Sequence, residues 1–392
     1  MALQSSGAIS LNDIHTEVGG SSASQVSVND TDVRSLIGKG SGSQSAFNEF
    51  YGASAGFPSS IMVKSTYLGR TQPQSLGTNY GSDVTAANGF AHYGSNMLLT
   101  WTVPSGMNQV VRFKVKGAAG GTHTGSWGSY YCQPGSGALV DVSFYCNSGT
   151  VIGLVPGQRP SSTSSNSGNG SGGGGGSFVY IISNSFLIAA AGGGGGTGHG
   201  YNGFATGGMG LGGSSNTNSN EFGGSSSTNT GQIYNNYRNA QVYTAGSSGN
   251  NGVGLGGNQT NNSTTYGGSG GGAGWNGGGD NYYSNSGGES RDVWTGGYGD
   301  QSVTNGGYGG GGGSSGNGNA AGGGGGYTGG GAGHGWQNTA LGRNSWGCGG
   351  GGGSYPQVSG SGVTLNSITA GVTAFGGINT GNADNGYIEI IT

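Results

Sequence analysis

Apolar positions in this chain follow first a helical period and then a strand period. Behind Ser10, residues Leu11, Ile14 and Val18 recur at helical spacing, with Asp13 three residues on as the acid of a shortened capping box. A second helical stretch begins at Asn29 or Asp30, sets Val33, Leu36 and Ile37 on one face, and stops at Gly38. Two such short helices bury too little surface to fold alone, so they are expected to dock on a partner or on copies of themselves. From Ile61 the period shortens to two. In the stretch Val110 to Val115, residues Val111, Phe113 and Val115 alternate with Arg112 and Lys114, as in a strand with one wet face. Strands are also expected at Ile61 to Leu68, Phe90 to Tyr93, Met97 to Val103, Leu139 to Tyr145, Val151 to Val155, Phe178 to Ile182 and Phe186 to Ala190. The last strand, Gly386 to Ile391, is expected to return to the same sheet. Short strands with turn-rich spacing favour an antiparallel β-sandwich over a parallel sheet.

Glycine changes this picture, because it contributes 100 of 392 residues, with long runs at Gly172 to Gly176, Gly192 to Gly196, Gly309 to Gly313, Gly322 to Gly326 and Gly349 to Gly353, and a shorter one at Gly270 to Gly272. No Gly-X-Y triplet runs through them, which excludes a collagen triple helix. Low-complexity disorder is the compositional alternative. Against it stand a charged fraction of only 6%, an aromatic fraction of 9% with 20 Tyr and 6 Trp, and the regular alternation of apolar segments with glycine runs. A glycine run loses much backbone entropy on ordering and buries no side chain, so its amides must be paired if it folds. Threefold polyglycine-II helices, rising about 3.1 Å per residue and laid side by side, supply that pairing, and only glycine permits their close approach. The expected fold is therefore mainly β: an antiparallel sandwich with a bundle of polyglycine-II helices, a small helical N-terminal segment, and loops at the two ends of the bundle.

Charge and chemistry exclude several functions. The formal net charge is -3 with no basic excess, which argues against a phosphate-driven nucleic-acid partner. No apolar stretch is long enough for membrane insertion, and residues 1–20 lack the features of a signal peptide, so synthesis in a cytoplasm is expected. Cys132, Cys146 and Cys348 have no metal-ligand spacing and read as free, partly buried thiols. His199 and His334 share a Gly-His-Gly context, which reads as a repeated loop, so neither a metal nor a cofactor is expected. Gly38-Lys39-Gly40 lacks the hydroxyl and the preceding strand of a phosphate loop. Asp280, Glu289, Asp292 and Asp300 lie in loops, not across a cleft, so no enzyme is expected.

The longest interruptions of the glycine runs, residues 214–266 and 280–304, are rich in Asn, Ser, Gly and Tyr, the composition of antibody paratopes. Candidate contact residues are Tyr234, Tyr237, Tyr243, Tyr266, Trp275, Tyr282, Tyr283 and Trp294, with Trp336 and Trp346 in the last loop. The competing role for each is to cap the glycine bundle and shield its ends.

Two resemblances add to this reading. The string Ala2 to Ile14, the later Ser27 to Arg34, and Phe50-Tyr51-Gly52-Ala53 resemble the N-terminal module of bacteriophage tail and tail-fibre proteins. That implies virion attachment through residues 1–53, with Leu11, Ile14, Val18, Val33, Leu36 and Ile37 as attachment candidates and other tail proteins as partners. Phe113 to Gly121, Val155-Pro156-Gly157-Gln158, Gly172 to Ile182 and Leu187 to Gly196 resemble the glycine-rich domain of the anaplastic lymphoma kinase receptor family. This likeness covers about residues 101–392 and implies polyglycine-II helices beside a β-sandwich. In architecture it is also similar to tail-fibre adhesins of T-even-like phages, whose loops contact a host receptor. The expected organisation is an attachment segment at 1–53, a β-rich connector at 54–100 and a glycine-rich domain at 101–392. The implied role is a virion adhesin that binds a host surface protein or glycan, as a monomeric tip or a homotrimer. The alternative is a structural virion component: a fibre, decoration or spike protein.

Overall fold

The computed structural model describes residues 3–4, 6–18, 20–40, 42–52, 57–104, 107–122, 134–161, 170–198, 269–281, 286–291, 293–299, 305–314, 321–333, 335–338, 343–346, 349–356, 359–371 and 384–392. The chain opens with α1 (Leu11–Glu17), capped as its sequence predicts: the Asp13 amide donates to Ser10 Oγ at 3.1 Å and the Ser10 amide to Asp13 Oδ2 at 2.8 Å. The second helix, α2 (Thr31–Ser35), takes Asp30 as its N-cap residue. Ile14 and Val33 meet each other's surroundings in a small core with Leu3 and Phe50, flanked by Val18, Leu36 and Ile37. The two helices thus cover part of their apolar faces within their own segment, while Leu11, Val18, Leu36 and Ile37 stay partly exposed.

The strands alternate as their sequence predicts. One sheet contains β1 (Ser60–Lys64), β4 (Gln109–Lys116), β5 (Leu139–Cys146), β11 (Val363–Thr369) and β12 (Tyr387–Ile391), in the order β1-β12-β4-β5-β11. The other contains β2 (Phe90–Tyr93), β3 (Leu98–Thr102), β6 (Val151–Val155), β7 (Ser177–Ile181) and β8 (Phe186–Ala191), in sequence order. All neighbours are antiparallel. A separate hairpin pairs β9 (Gly335–Asn338) with β10 (Arg343–Trp346), in a stretch expected to be loop. The closing strand β12 lies between β1 and β4, so the chain's end locks a strand from residue 60 onward to the middle of the sheet. The domain boundary expected at residue 101 falls inside β3. The supposed connector supplies β1, β2 and most of β3, because Ile61, Val63, Phe90 and Leu99 are needed to complete the core.

That core joins both sheets. Val111, Phe113, Val115, Val140, Val142, Ile388 and Ile390 from one are clustered with Trp101, Ile152, Leu154, Val179 and Ile188 from the other. Each such side chain contributes roughly 1.5–3 kcal/mol by leaving water. Trp101 shows the join most directly, its ring edge-on to Phe113 of the opposite sheet at 6.4 Å between centroids. On the outward face of β4, Arg112 Nε donates to Asp141 Oδ1 at 2.8 Å and Lys114 to Glu389 at 3.1 Å. Burial would raise the Asp141 pKa, but hydrogen bonds from Arg112 and Asn366 outweigh it and hold the carboxyl below its ordinary value. Cys146 is a free thiol in the core, pushed up to about 12 by burial; Cys132 and Cys348 lie outside the described residues.

The glycine runs extend directly from the strands. Gly117 follows β4, Ala138 precedes β5, Gly176 leads into β7 and Gly192 leaves β8. Their backbone bonding repeats every three residues. Gly322 and Gly325 donate to Ser171 and Gly174, Gly323 and Gly326 to Gly270 and Ala273, and Gly324 to Gly350, at 2.8–3.2 Å. Successive amides therefore turn to three different neighbours, and amides three apart turn to the same one. Gly193 and Gly196 repeat this toward Gly325 and Gly322, and Gly173 and Gly176 toward Gly312 and Gly309. At most positions facing a neighbouring run no side chain fits: a Cβ on Gly324 would overlap the Gly193 carbonyl, and one on Gly173 the Gly323 carbonyl. Pairing with adjacent runs satisfies buried amides that would otherwise be costly to desolvate.

Candidate functional site

The two ends of the glycine runs differ in what closes them. At the end nearest the sheets, the links between runs are short and carry large aromatic residues. The Trp294 ring lies 4.2 Å from Phe178 of β7, and Trp275 meets Tyr180 edge-on at 5.1 Å. Trp275, Trp294 and Tyr308 are buried together with Phe178, Val155 and Ala190, and Tyr327 stacks on Tyr355 beside them at 5.1 Å. Trp294 takes a left-handed φ of 61°, a conformation unfavourable for so large a side chain. Bonds at Trp294 fix that turn, its amide donating to Ser290 at 2.9 Å and its carbonyl accepting from Gly309 at 2.8 Å. Gly309 and Gly310 follow with φ of 98° and 83°, which reverses the chain where only glycine is unstrained. Burial pushes the Tyr308 hydroxyl well above its ordinary pKa, with Tyr80 and Tyr180 adding to the shift; burial also raises Tyr327.

The opposite end is closed by small hydroxyl side chains. Ser171 Oγ donates to the Gly121 carbonyl at 2.6 Å and accepts from the Thr197 amide at 2.7 Å. Ser269 Oγ donates to Ala321 at 2.6 Å, within 2.9 Å of the Gly333 carbonyl, and Ser314 Oγ donates to Gly170 at 2.7 Å. These contacts bring together the flanks of residues 123–133, 162–169, 199–268, 315–320 and 334–348. Nearby, the Gly313 amide donates to Ser286 at 3.1 Å and the Ser286 amide to Tyr298 at 2.8 Å, which adds the flanks of 282–285 and 300–304. Every long interruption of the glycine runs therefore leaves from one end and returns to it, whereas loops had been expected at both.

This division separates the candidate contact residues. Trp275 and Trp294, 6% and 2% exposed, are sealed at the sheet end. They take the capping role because apolar rings at that end cover the junction between glycine backbone and β7, and this removes them from the contact set. Tyr234, Tyr237, Tyr243 and Tyr266 belong to 199–268, and Tyr282 and Tyr283 to 282–285; all six lie outside the described residues, on segments whose flanks are at the far end. Trp336 and Trp346 fall in β9 and β10, reached from the same end through Gly333, and their side chains are likewise outside the description. A residue not singled out from the sequence joins them: Tyr298, 57% exposed, with the Arg70 guanidinium 3.2 Å from its ring centroid. Its position in a longer Gly/Asn/Asp-rich link, in contrast to the short links that hold the buried tryptophans, was the available signal. The Ser and Thr that border the runs were also missed, and their placement at run ends was the sign of their role.

Of the N-terminal attachment candidates, Ile14 and Val33 are fully buried in the segment's own core, and Leu11, Val18, Leu36 and Ile37 are partly exposed. Among the described residues no three metal-binding side chains are grouped to hold an ion, and no helix is long and apolar enough to cross a membrane. No protein-family model matches the chain, and no curated protein matches it.

Proposed function

We propose that this chain is a bacteriophage virion protein of the tail-fibre or adhesin type, which binds a host surface protein or glycan through loops at the far end of its glycine-rich region. In this reading the two sheets pack as a β-sandwich and the glycine runs form a polyglycine-II bundle. The shared core of the sheets and the three-residue repeat of the glycine bonding support these assignments. Residues 1–53 attach the protein to other tail proteins, with the partly exposed Leu11, Val18, Leu36 and Ile37 as the available contacts.

The observation that carries the recognition role is the one-ended arrangement of the long interruptions. It resembles the way a sandwich domain gathers its variable loops at one pole, and the Tyr/Ser/Asn/Gly composition of 199–268 suits adaptable contact through stiff rings. Several copies on one particle would strengthen weak individual contacts. The test is binding of the fluorescently labelled full chain to a panel of intact bacterial strains, competed by unlabelled chain. Saturable, competable binding to a subset of strains is expected. A folded chain that binds none of them contradicts the adhesin role and leaves the structural virion component in its place.

A further inference from the structure

A second candidate site lies beside β1. A cavity of about 710 Å³, within the range of small-molecule sites, opens between β1 with the segment after it, the loop 78–83, and a third wall formed by Arg159, Asp384 and Asn385. Its walls are pinned together by backbone. The Lys64 and Thr66 amides donate to Tyr80 and Asn79, each at 2.9 Å. Asn385 Nδ2 donates to the Ser65 and Tyr67 carbonyls at 2.7 and 2.9 Å, while its Oδ1 accepts from the Arg159 amide at 2.8 Å. A cavity fixed in this way needs little reorganisation to receive a ligand.

The lining chemistry selects the ligand class. Two cations, Lys64 and Arg159, face two carboxylates, Asp83 and Asp384, so the walls carry no net charge. A phosphate or an acidic polymer would meet the carboxylates, and a basic peptide would meet the cations. Lys64 Nζ and Asp384 Oδ1 are 4.0 Å apart, too far for a hydrogen bond, which leaves donor and acceptor capacity toward the opening. A hydroxyl, both donor and acceptor, is suited to bridge such a pair. Met62 and Leu68, 43% and 50% exposed, line the same opening and offer apolar surface for the C–H face of a ring. We infer that this cavity binds a neutral oligosaccharide, held between the Lys64–Asp384 pair and Asp83.

The test titrates the full chain by calorimetry with maltotriose, cellotriose and chitotriose, with trigalacturonate as the acidic comparison. At least one neutral trisaccharide should bind, and Asp384→Asn should weaken it by about tenfold or more. Asp83→Asn, at an exposed position outside the core, gives a second variant expected to fold normally and to weaken the same sugar. Replacing residues 199–268 should leave this affinity unchanged, which distinguishes this site from the adhesive loops. No binding of any neutral trisaccharide at about 10 mM, tighter binding of trigalacturonate, or affinity indifferent to both variants would overturn the assignment.

Discussion

Trp294 and Tyr298 lie four residues apart on one passage of the chain through the glycine-rich region, yet they occupy its two extremes. Trp294 is 2% exposed against β7, and Tyr298 is 57% exposed toward the end from which the long interruptions leave. Between them run Thr295, Gly296 and Gly297, the Gly296 amide bonded to the Arg70 carbonyl and the Gly297 amide to that of Gly311. The contrast shows how a glycine-rich region with few charges divides its tasks between its two ends. Apolar rings seal one end, and hydroxyls and backbone close the other.

The most severe way to break this arrangement is to place a side chain among the runs. Gly324→Val forces methyl groups into the Gly193 carbonyl, and stability should fall by more than about 4 kcal/mol in denaturant titration, because the neighbouring atoms are backbone and cannot rotate aside. A neutral result would mean that the runs are not packed as described. At the sealed end, Trp294→Ala removes the ring over Phe178 and should cost about 3–4 kcal/mol by the same measurement.

Alkali probes the same end without a cavity. The raised pKa of Tyr308 leaves stability intact below pH 10.0, its ordinary value, and erodes it above, because only the unfolded chain then loses the proton readily. Tyr308→Phe should cost about 1 kcal/mol at neutral pH, through the lost hydrogen bond to Gln72, and flatten the fall in melting temperature above pH 10.0. An unchanged alkaline slope would place the sensitivity elsewhere. The smallest effects belong to exposed positions. Tyr298→Ala should cost less than about 1 kcal/mol, since it removes a surface cation–π contact, and Gly360→Ala, where nothing lies within 4 Å of the added methyl, less than about 0.5 kcal/mol. If Tyr298→Ala destabilised the chain as much as Trp294→Ala, the distinction between the ends would fail.

Much of the framework was legible because strand alternation and helix caps are local. Val111, Phe113 and Val115 announce β4, and Ser10 with Asp13 announces the start of α1. Strand β11 was missed for a local reason as well: the register shift between Leu365 and Ser367 breaks the two-residue period that would have revealed it. The hairpin of β9 and β10 has too little apolar alternation to be read. The one-ended arrangement is a property of turns. Short links holding Trp275, Trp294, Tyr308 and Tyr327 alternate with longer polar ones, and that alternation, visible in the sequence, fixes which links share an end. Burial of Trp275 and Trp294 could not be read from residue type, because an aromatic ring suits a contact surface and a seal equally well.

The most direct measurement replaces residues 199–268 by a short glycine-serine linker and compares the two chains for melting temperature and for saturable binding to the bacterial strains that the intact chain recognises. The account predicts a melting temperature within about 3 °C of the intact chain, together with loss of competable binding. Undiminished binding, or a chain that no longer folds, would contradict the separation of framework from recognition.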